Sequence, residues 1–290
     1  MSVDKKSLAI TAATYVIWGI LPIYWQLLGG VNSLLVLCCR IIFSLIFTIV
    51  LLGVSGNIKV FRDTLLDKAS MRWLIPAAVI VTFNWGLFIW AVNSGHVIEC
   101  SLGYYINPLL VFLIGVLLLR EKFTRLQLVA VALAFVGVLI SVLAYGVFPV
   151  VSITLALTFA VYGVLKKKAR VEPVAGIAIE TLVITPFALA FALLFMMDGI
   201  LNASLGELLL LAGAGVATAV PLIMFSRSVN NVPFIIVGFF QYISPSLMLI
   251  YGIISGEAPS TAQLISLIFT GLGLVVFSIA LVRGEDRAFP

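Results

Sequence analysis

Two formal charges fall deep inside apolar runs of this sequence: Arg40 and Glu180. A charge at the centre of a bilayer-length helix costs about 2.5 to 3.5 kcal/mol, so it is kept only where a partner or a wet cavity answers it. One reading gives both residues to a ligand, with Arg40 receiving an acidic group such as a carboxylate and Glu180 receiving an amine or a proton. The other makes them a structural ion pair between two helices, and the sequence leaves both open. Around them stand aromatic and amide side chains that suit an apolar cavity with a few polar anchors: Trp18, Asn84, Trp85, Tyr104, Asn107, Tyr162, Gln241 and Tyr242. An amide facing lipid would be unsatisfied, so Asn84, Asn107 and Gln241 point either to a binding site or to interhelical hydrogen bonds.

Further residues suggest gating. His96 and Glu99 are three apart at a span boundary, a spacing for a hydrogen-bonded outer gate that a histidine titrating near pH 6.5 would make pH-sensitive. Pro108 and Pro245 lie within spans, where each removes a helix hydrogen bond and permits a kink. His96 is the sole histidine and Cys38, Cys39 and Cys100 are the only cysteines, so neither a metal site nor a disulfide framework is expected. No cofactor is implied.

The elements that must position these residues follow from composition. The chain is 63% hydrophobic and 10% charged over 290 residues, against about 45–50% and 25% in soluble domains. Uninterrupted apolar runs of about twenty residues place spans at 8–28, 34–53, 71–92, 99–119, 124–144, 147–165, 174–196, 207–226, 233–253 and 261–282. Between spans 2 and 3, Val54 to Ser70 reads as an amphipathic connection. Apart from Arg40, every Lys and Arg falls on one side of this arrangement: Lys5 and Lys6, Lys59 to Arg72, Arg120 to Arg125, Lys166 to Arg170, Arg227, then Arg283 and Arg287. Cytoplasmic loops accumulate such residues, so both termini are expected in the cytoplasm. The net charge of +5 is a topology signal and needs no nucleic acid.

The spans repeat. Tyr105-Ile106-Asn107-Pro108, Gly115, Glu121, Gln127 and Gly137 return as Tyr242-Ile243-Ser244-Pro245, Gly252, Glu257, Gln263 and Gly273. Residues 1–145 and 146–290 are therefore expected to be two copies of five spans, the second inverted because five is odd, which is a recurrent plan of alternating-access carriers.

Three strings carry a family resemblance: WGILPIYW at 18–25, NWGLFIWAVNSGHVIECSLGYYINPLL at 84–110 and GFFQYISPSLM at 238–248. The chain resembles RarD-type members of the EamA, or drug/metabolite transporter, superfamily. That resemblance implies ten helices in two inverted halves, a substrate cavity between them and transport without ATP. The expectation is an all-α polytopic protein of the bacterial plasma membrane, carrying an amino-acid-like or other zwitterionic or amphipathic solute, with protons as candidate coupling ions. Efflux of chloramphenicol-like drugs is the alternative, and a channel or receptor a further one. An enzyme is not expected: there is no HExxH or G-x-S-x-G motif, and Asp4, Asp63, Asp67, Asp198 and Asp286 all fall in loops or tails. Substrate identity, direction and oligomeric state are not legible here.

Overall fold

The computed structural model of the protein describes residues 4–94, 96–256 and 260–283. Thirteen helices follow one another: α1 (Lys5–Gln26), α2 (Ser33–Val54), α3 (Ile58–Leu66), α4 (Lys68–Asn93), α5 (Val97–Leu117), α6 (Arg125–Tyr145), α7 (Val150–Ala169), α8 (Pro173–Phe195), α9 (Met197–Leu201), α10 (Leu205–Asn231), α11 (Phe234–Phe240), α12 (Ile243–Ile254) and α13 (Thr261–Arg283). Among the described residues, ten helical stretches are long and apolar enough to cross a membrane, α11 and α12 together forming one of them. These are the ten spans of the hydropathy pattern.

Local chemistry sets the helix starts. Asn32 accepts from Leu34 N at 2.9 Å ahead of α2. Thr124 and Gln127 form a reciprocal capping box at α6, and Glu172 accepts from Ala175 N at 2.7 Å while Pro173 opens α8. Each supplies an acceptor to amides that the first helical turn leaves unpaired. Span 9 is interrupted at Gln241–Tyr242, one helical turn before Pro245. A proline removes the hydrogen bond to the carbonyl four residues back. Here Gln241 O accepts from Ser244 N at 3.2 Å instead, and Gln241 N and Tyr242 N turn to Gly238 O and Phe239 O.

The chain forms two compact units. One contains residues 1–20, 90–160 and 231–290, and the other 21–89 and 161–230. Each unit draws helices from both sequence copies.

In the first unit, repeat mates α6 and α13 pack together, as do α5 and α11. Gly137 lies against the Ser266 backbone, where a Cβ would be 3.1 Å from Ser266 O, and Gly273 lies against Ala130, where a Cβ would be 2.9 Å from Ala130 O. Progress along α6 thus matches regress along α13, so the two run antiparallel. Both backbones approach this closely because the crossing residues are glycines.

In the second unit α2 packs on α8. Cys38 and Ile41 meet Ala188 and Ala192, whereas Leu52, further along α2, meets Ala175 and Ala178. These mates are antiparallel too. On the α10 side, a Cβ at Gly215 would collide with the Phe43 backbone, and Ser44 Oγ donates to Gly215 O at 2.9 Å across this contact.

Candidate functional site

Five of the proposed ligand residues fall in the second unit: Arg40, Asn84, Trp85, Tyr162 and Glu180. The other five, Trp18, Tyr104, Asn107, Gln241 and Tyr242, fall in the first.

Arg40 projects from the N-terminal half of α2. Its guanidinium carbon is 4.7 Å from the Trp25 ring centroid and 4.8 Å from that of Trp85, and its Nε donates to Thr218 Oγ1 at 2.9 Å. The indole faces attract the cation through their quadrupoles. Thr218 in turn donates to Ala214 O at 2.7 Å, which fixes its hydroxyl. Asn84, one residue before Trp85 on α4, is buried.

Glu180, on α8, has a different partner from Arg40, the one that the ion-pair reading gave it. Lys166 Nζ lies 2.6 Å from Glu180 Oε1, and Tyr162 Oη donates to Oε2 at 3.0 Å. The pairing with Arg40 is therefore corrected: both carboxylate oxygens are engaged by α7. The loop position of Lys166 is corrected as well, because α7 continues to Ala169 and Lys166 is 1% exposed within it. Gly176 makes room, since a Cβ there would stand 3.1 Å from Lys166 Nζ. Tyr162 and Lys166 are four apart and share one face of α7. A cavity of about 10 Å³, close to the size of one water molecule, is lined by Glu180, Thr181, Thr82 and Trp85 among apolar side chains. Trp85 thus borders both the Arg40 cluster and the Glu180 cluster.

In the first unit, Asn107 Nδ2 donates to Ala156 O at 2.6 Å, an interhelical bond. Trp18 packs on Tyr15 and Phe159. Tyr104 is 40% exposed. Gln241 and Tyr242 are buried at the interruption of span 9. Tyr242 and Tyr105, which are repeat mates, lie near enough for electrostatic interaction, yet neither hydroxyl has a hydrogen-bond partner.

The expected gate pair is not assembled. Glu99 accepts from Tyr145 Oη at 3.1 Å and Val151 N at 3.0 Å, while Ser152 Oγ donates to its carbonyl at 2.7 Å. It ties α5 to the start of α7. His96 precedes α5 and stacks on Trp90 with centroids 5.3 Å apart. Pro108 sits inside α5, which continues through it, whereas its mate Pro245 accompanies the interruption of span 9.

Sequence reasoning missed four participants: Lys166, Trp25, Thr218 and Tyr105. Helical phase gave a signal for Lys166, through its four-residue spacing from Tyr162. Glu121, noticed only as a repeat marker, accepts from Phe234 N at 2.8 Å and Ile235 N at 2.9 Å and so caps α11. Its mate Glu257 lies outside the described residues.

Comparison with known proteins bears on the same geometry. The sequence model of the EamA-like transporter family matches twice, over residues 6–143 and 148–279. The uncharacterized transporter YojE of Bacillus subtilis is 39% identical, with 94% of each chain covered. Protein RarD of Escherichia coli is 35% identical, covering 98% of this chain and 97% of that one. A solved crystal structure shares the fold with a TM-score of 0.74 and 19% identity over 96% of this chain and 99% of the other.

Proposed function

The chain belongs to the EamA-like transporter family, and from that premise we propose that it is a secondary carrier moving a small organic solute with an acidic group by alternating access. It is a multi-pass protein of the bacterial inner membrane and a transporter of small solutes. The two family matches and the antiparallel packing of repeat mates support an inverted pair of five-span copies, the plan on which alternating access rests.

The clamp around Arg40 carries the reading of the solute. With two indole rings beside the guanidinium, its planar N–H fork is the group that suits the two oxygens of a carboxylate. Trp25 and Trp85 add apolar walls, which suits an amino-acid-like or other amphipathic acid. Because Lys166 already answers the charge of Glu180, the solute need not bring an amine to this site.

Solute counterflow in proteoliposomes tests the proposal, with labelled amino acids, 2-hydroxy acids and chloramphenicol as probes. Wild-type protein is expected to exchange an acid-bearing probe. Arg40→Gln is expected to weaken its binding about 10- to 100-fold, the loss of one charged hydrogen-bonding partner, with thermal stability largely kept. Undiminished acid exchange by Arg40→Gln would sink the assignment. Exchange of chloramphenicol alone, indifferent to Arg40, would favour a drug carrier.

A further inference from the structure

The short helix α3 and the start of α4 take no part in the site above, yet they carry a dense group of cations. Lys59, Arg62, Lys68 and Arg72 are all exposed. Lys59 and Arg62 are three apart on α3, and Leu66 lies one turn beyond Arg62 on the same face with 69% of its surface exposed. Ile58, at the start of the helix, is 48% exposed. The opposite side is anchored, with Phe61 packed against Leu52, Ala175 and Ala178. Lys68 and Arg72 are four apart on α4, and the Arg72 guanidinium lies 5.2 Å from the Trp73 ring.

A surface that pairs exposed aliphatic side chains with cations on one face suits the lipid headgroup boundary. There the apolar tips enter the acyl region and the cations stay at phosphate level. The acids nearby leave the positive charge in excess. Asp67 is used as the cap of α4, accepting from Ser70 Oγ at 2.6 Å and from Ala69 N and Ser70 N. The Ser70 hydroxyl, followed by those two amides, holds its carboxyl below the usual carboxylate range. Arg72 interacts with Asp67 electrostatically, and Asp63 is exposed on α3. Four cations against two acids leave a net +2 over residues 58–72. α3 joins α2 and α4, two helices long and apolar enough to cross a membrane, which puts it at the level of the headgroups of a bilayer around them.

We propose that α3 and the first turn of α4 form a binding surface for the phosphate headgroups of anionic phospholipids. Zwitterionic lipids carry a compensating amine beside the phosphate and would be held less strongly. Each cation near a charged bilayer strengthens association by about fivefold, so the surface selects for lipid charge.

The test uses the full chain in nanodiscs of phosphatidylcholine, or of phosphatidylcholine and phosphatidylglycerol in equal parts, with thermal unfolding as the readout. The expected result is a Tm higher by about 3 °C with phosphatidylglycerol, as for a ligand that binds only the folded state. Lys59→Gln/Arg62→Gln/Lys68→Gln/Arg72→Gln should abolish that increment while matching wild type in pure phosphatidylcholine. If the fourfold change lowers Tm in phosphatidylcholine, Lys59→Gln/Arg62→Gln alone should still halve the increment. The control Lys122→Gln/Arg125→Gln, in a connection of the other unit, should keep it. Equal Tm in both lipids, an increment that survives both multiple variants, or the same increment from inorganic phosphate added to phosphatidylcholine discs would each overturn the proposal.

Discussion

Replacing Lys166 by methionine removes one half of a buried ion pair and leaves the other half in place. The Lys166 and Glu180 side chains are 0% and 5% exposed, with 2.6 Å between Nζ and Oε1. Breaking such a pair from one side costs about 3–5 kcal/mol, since the remaining charge has lost its partner in a medium that solvates it poorly. The carboxyl has one escape, which is to take up a proton. From an ordinary value near 4.3, holding that proton at pH 7 costs about 3.7 kcal/mol, at about 1.4 kcal/mol per pH unit. The two routes agree, so Lys166→Met is expected to cost about 4 kcal/mol at pH 7 and about 1 kcal/mol at pH 5. Glu180→Gln leaves the Lys166 cation facing an amide and should cost a similar amount. In the double variant Lys166→Met/Glu180→Gln no charge is buried and the amide oxygen can still accept from Tyr162, so its cost should be about 1–2 kcal/mol, far below the sum of the singles. The assay is unfolding of the purified protein in mixed micelles, monitored from pH 5 to pH 8, with a double-mutant cycle. Single variants within about 1 kcal/mol of wild type at pH 7, or additive singles, would refute the reasoning, because either result means that the two groups do not depend on each other.

Further outcomes follow from individual contacts. Gly215→Ala should be strongly destabilising, since its Cβ would collide with the Phe43 backbone, whereas Gly271→Ala, with nothing within 4 Å, should be neutral or stabilising by up to about 1 kcal/mol; equal effects in thermal unfolding would contradict this packing. Glu121→Gln should cost about 1–2 kcal/mol and speed amide exchange at Phe234 and Ile235, and unchanged exchange there would mean that the cap is not made. Tyr242→Phe and Tyr105→Phe remove buried hydroxyls that have no partner, so Tm should hold or rise; a fall of more than about 4 °C, equivalent to roughly 1–2 kcal/mol, would reveal a bond to those hydroxyls.

The spans were legible because a bilayer demands about twenty apolar residues per crossing, and this chain interrupts its apolar runs with charges at nearly every boundary. Lys166 was not legible for the same reason. It opens the run Lys166-Lys167-Lys168, and counting cations by side gives all three the same meaning. Only the phase of α7 separates Lys166, which is buried against Glu180, from Lys168, which is exposed. Trp25 and Thr218 were passed over because each is ordinary in type and place, an indole at a helix end and a hydroxyl within a span. What makes them significant is a tertiary contact with Arg40, and sequence spacing does not encode that contact.

The grouping of the candidate residues was harder to read than their identity. A ligand list taken from the sequence treats ten side chains as one pocket, but the helices carrying them sort by packing partner. Three of the packed pairs are repeat mates: α2 with α8, α5 with α11, α6 with α13. The proposed pair of inverted copies accounts for the sorting. Two copies of one helix related by a local two-fold axis present the same face to each other, so a small residue placed once in the ancestral helix appears on both sides of the crossing. Gly137 against Ser266 and Gly273 against Ala130 are that single contact made twice. The same logic separates the chemistry. Residues that recur in both copies, such as Tyr105 and Tyr242 or Gly137 and Gly273, serve contacts the two copies share. Arg40 and the Lys166–Glu180 pair have no like-charged mate across the repeat, and in the function proposed above that asymmetry supplies the chemically distinct seat for a solute.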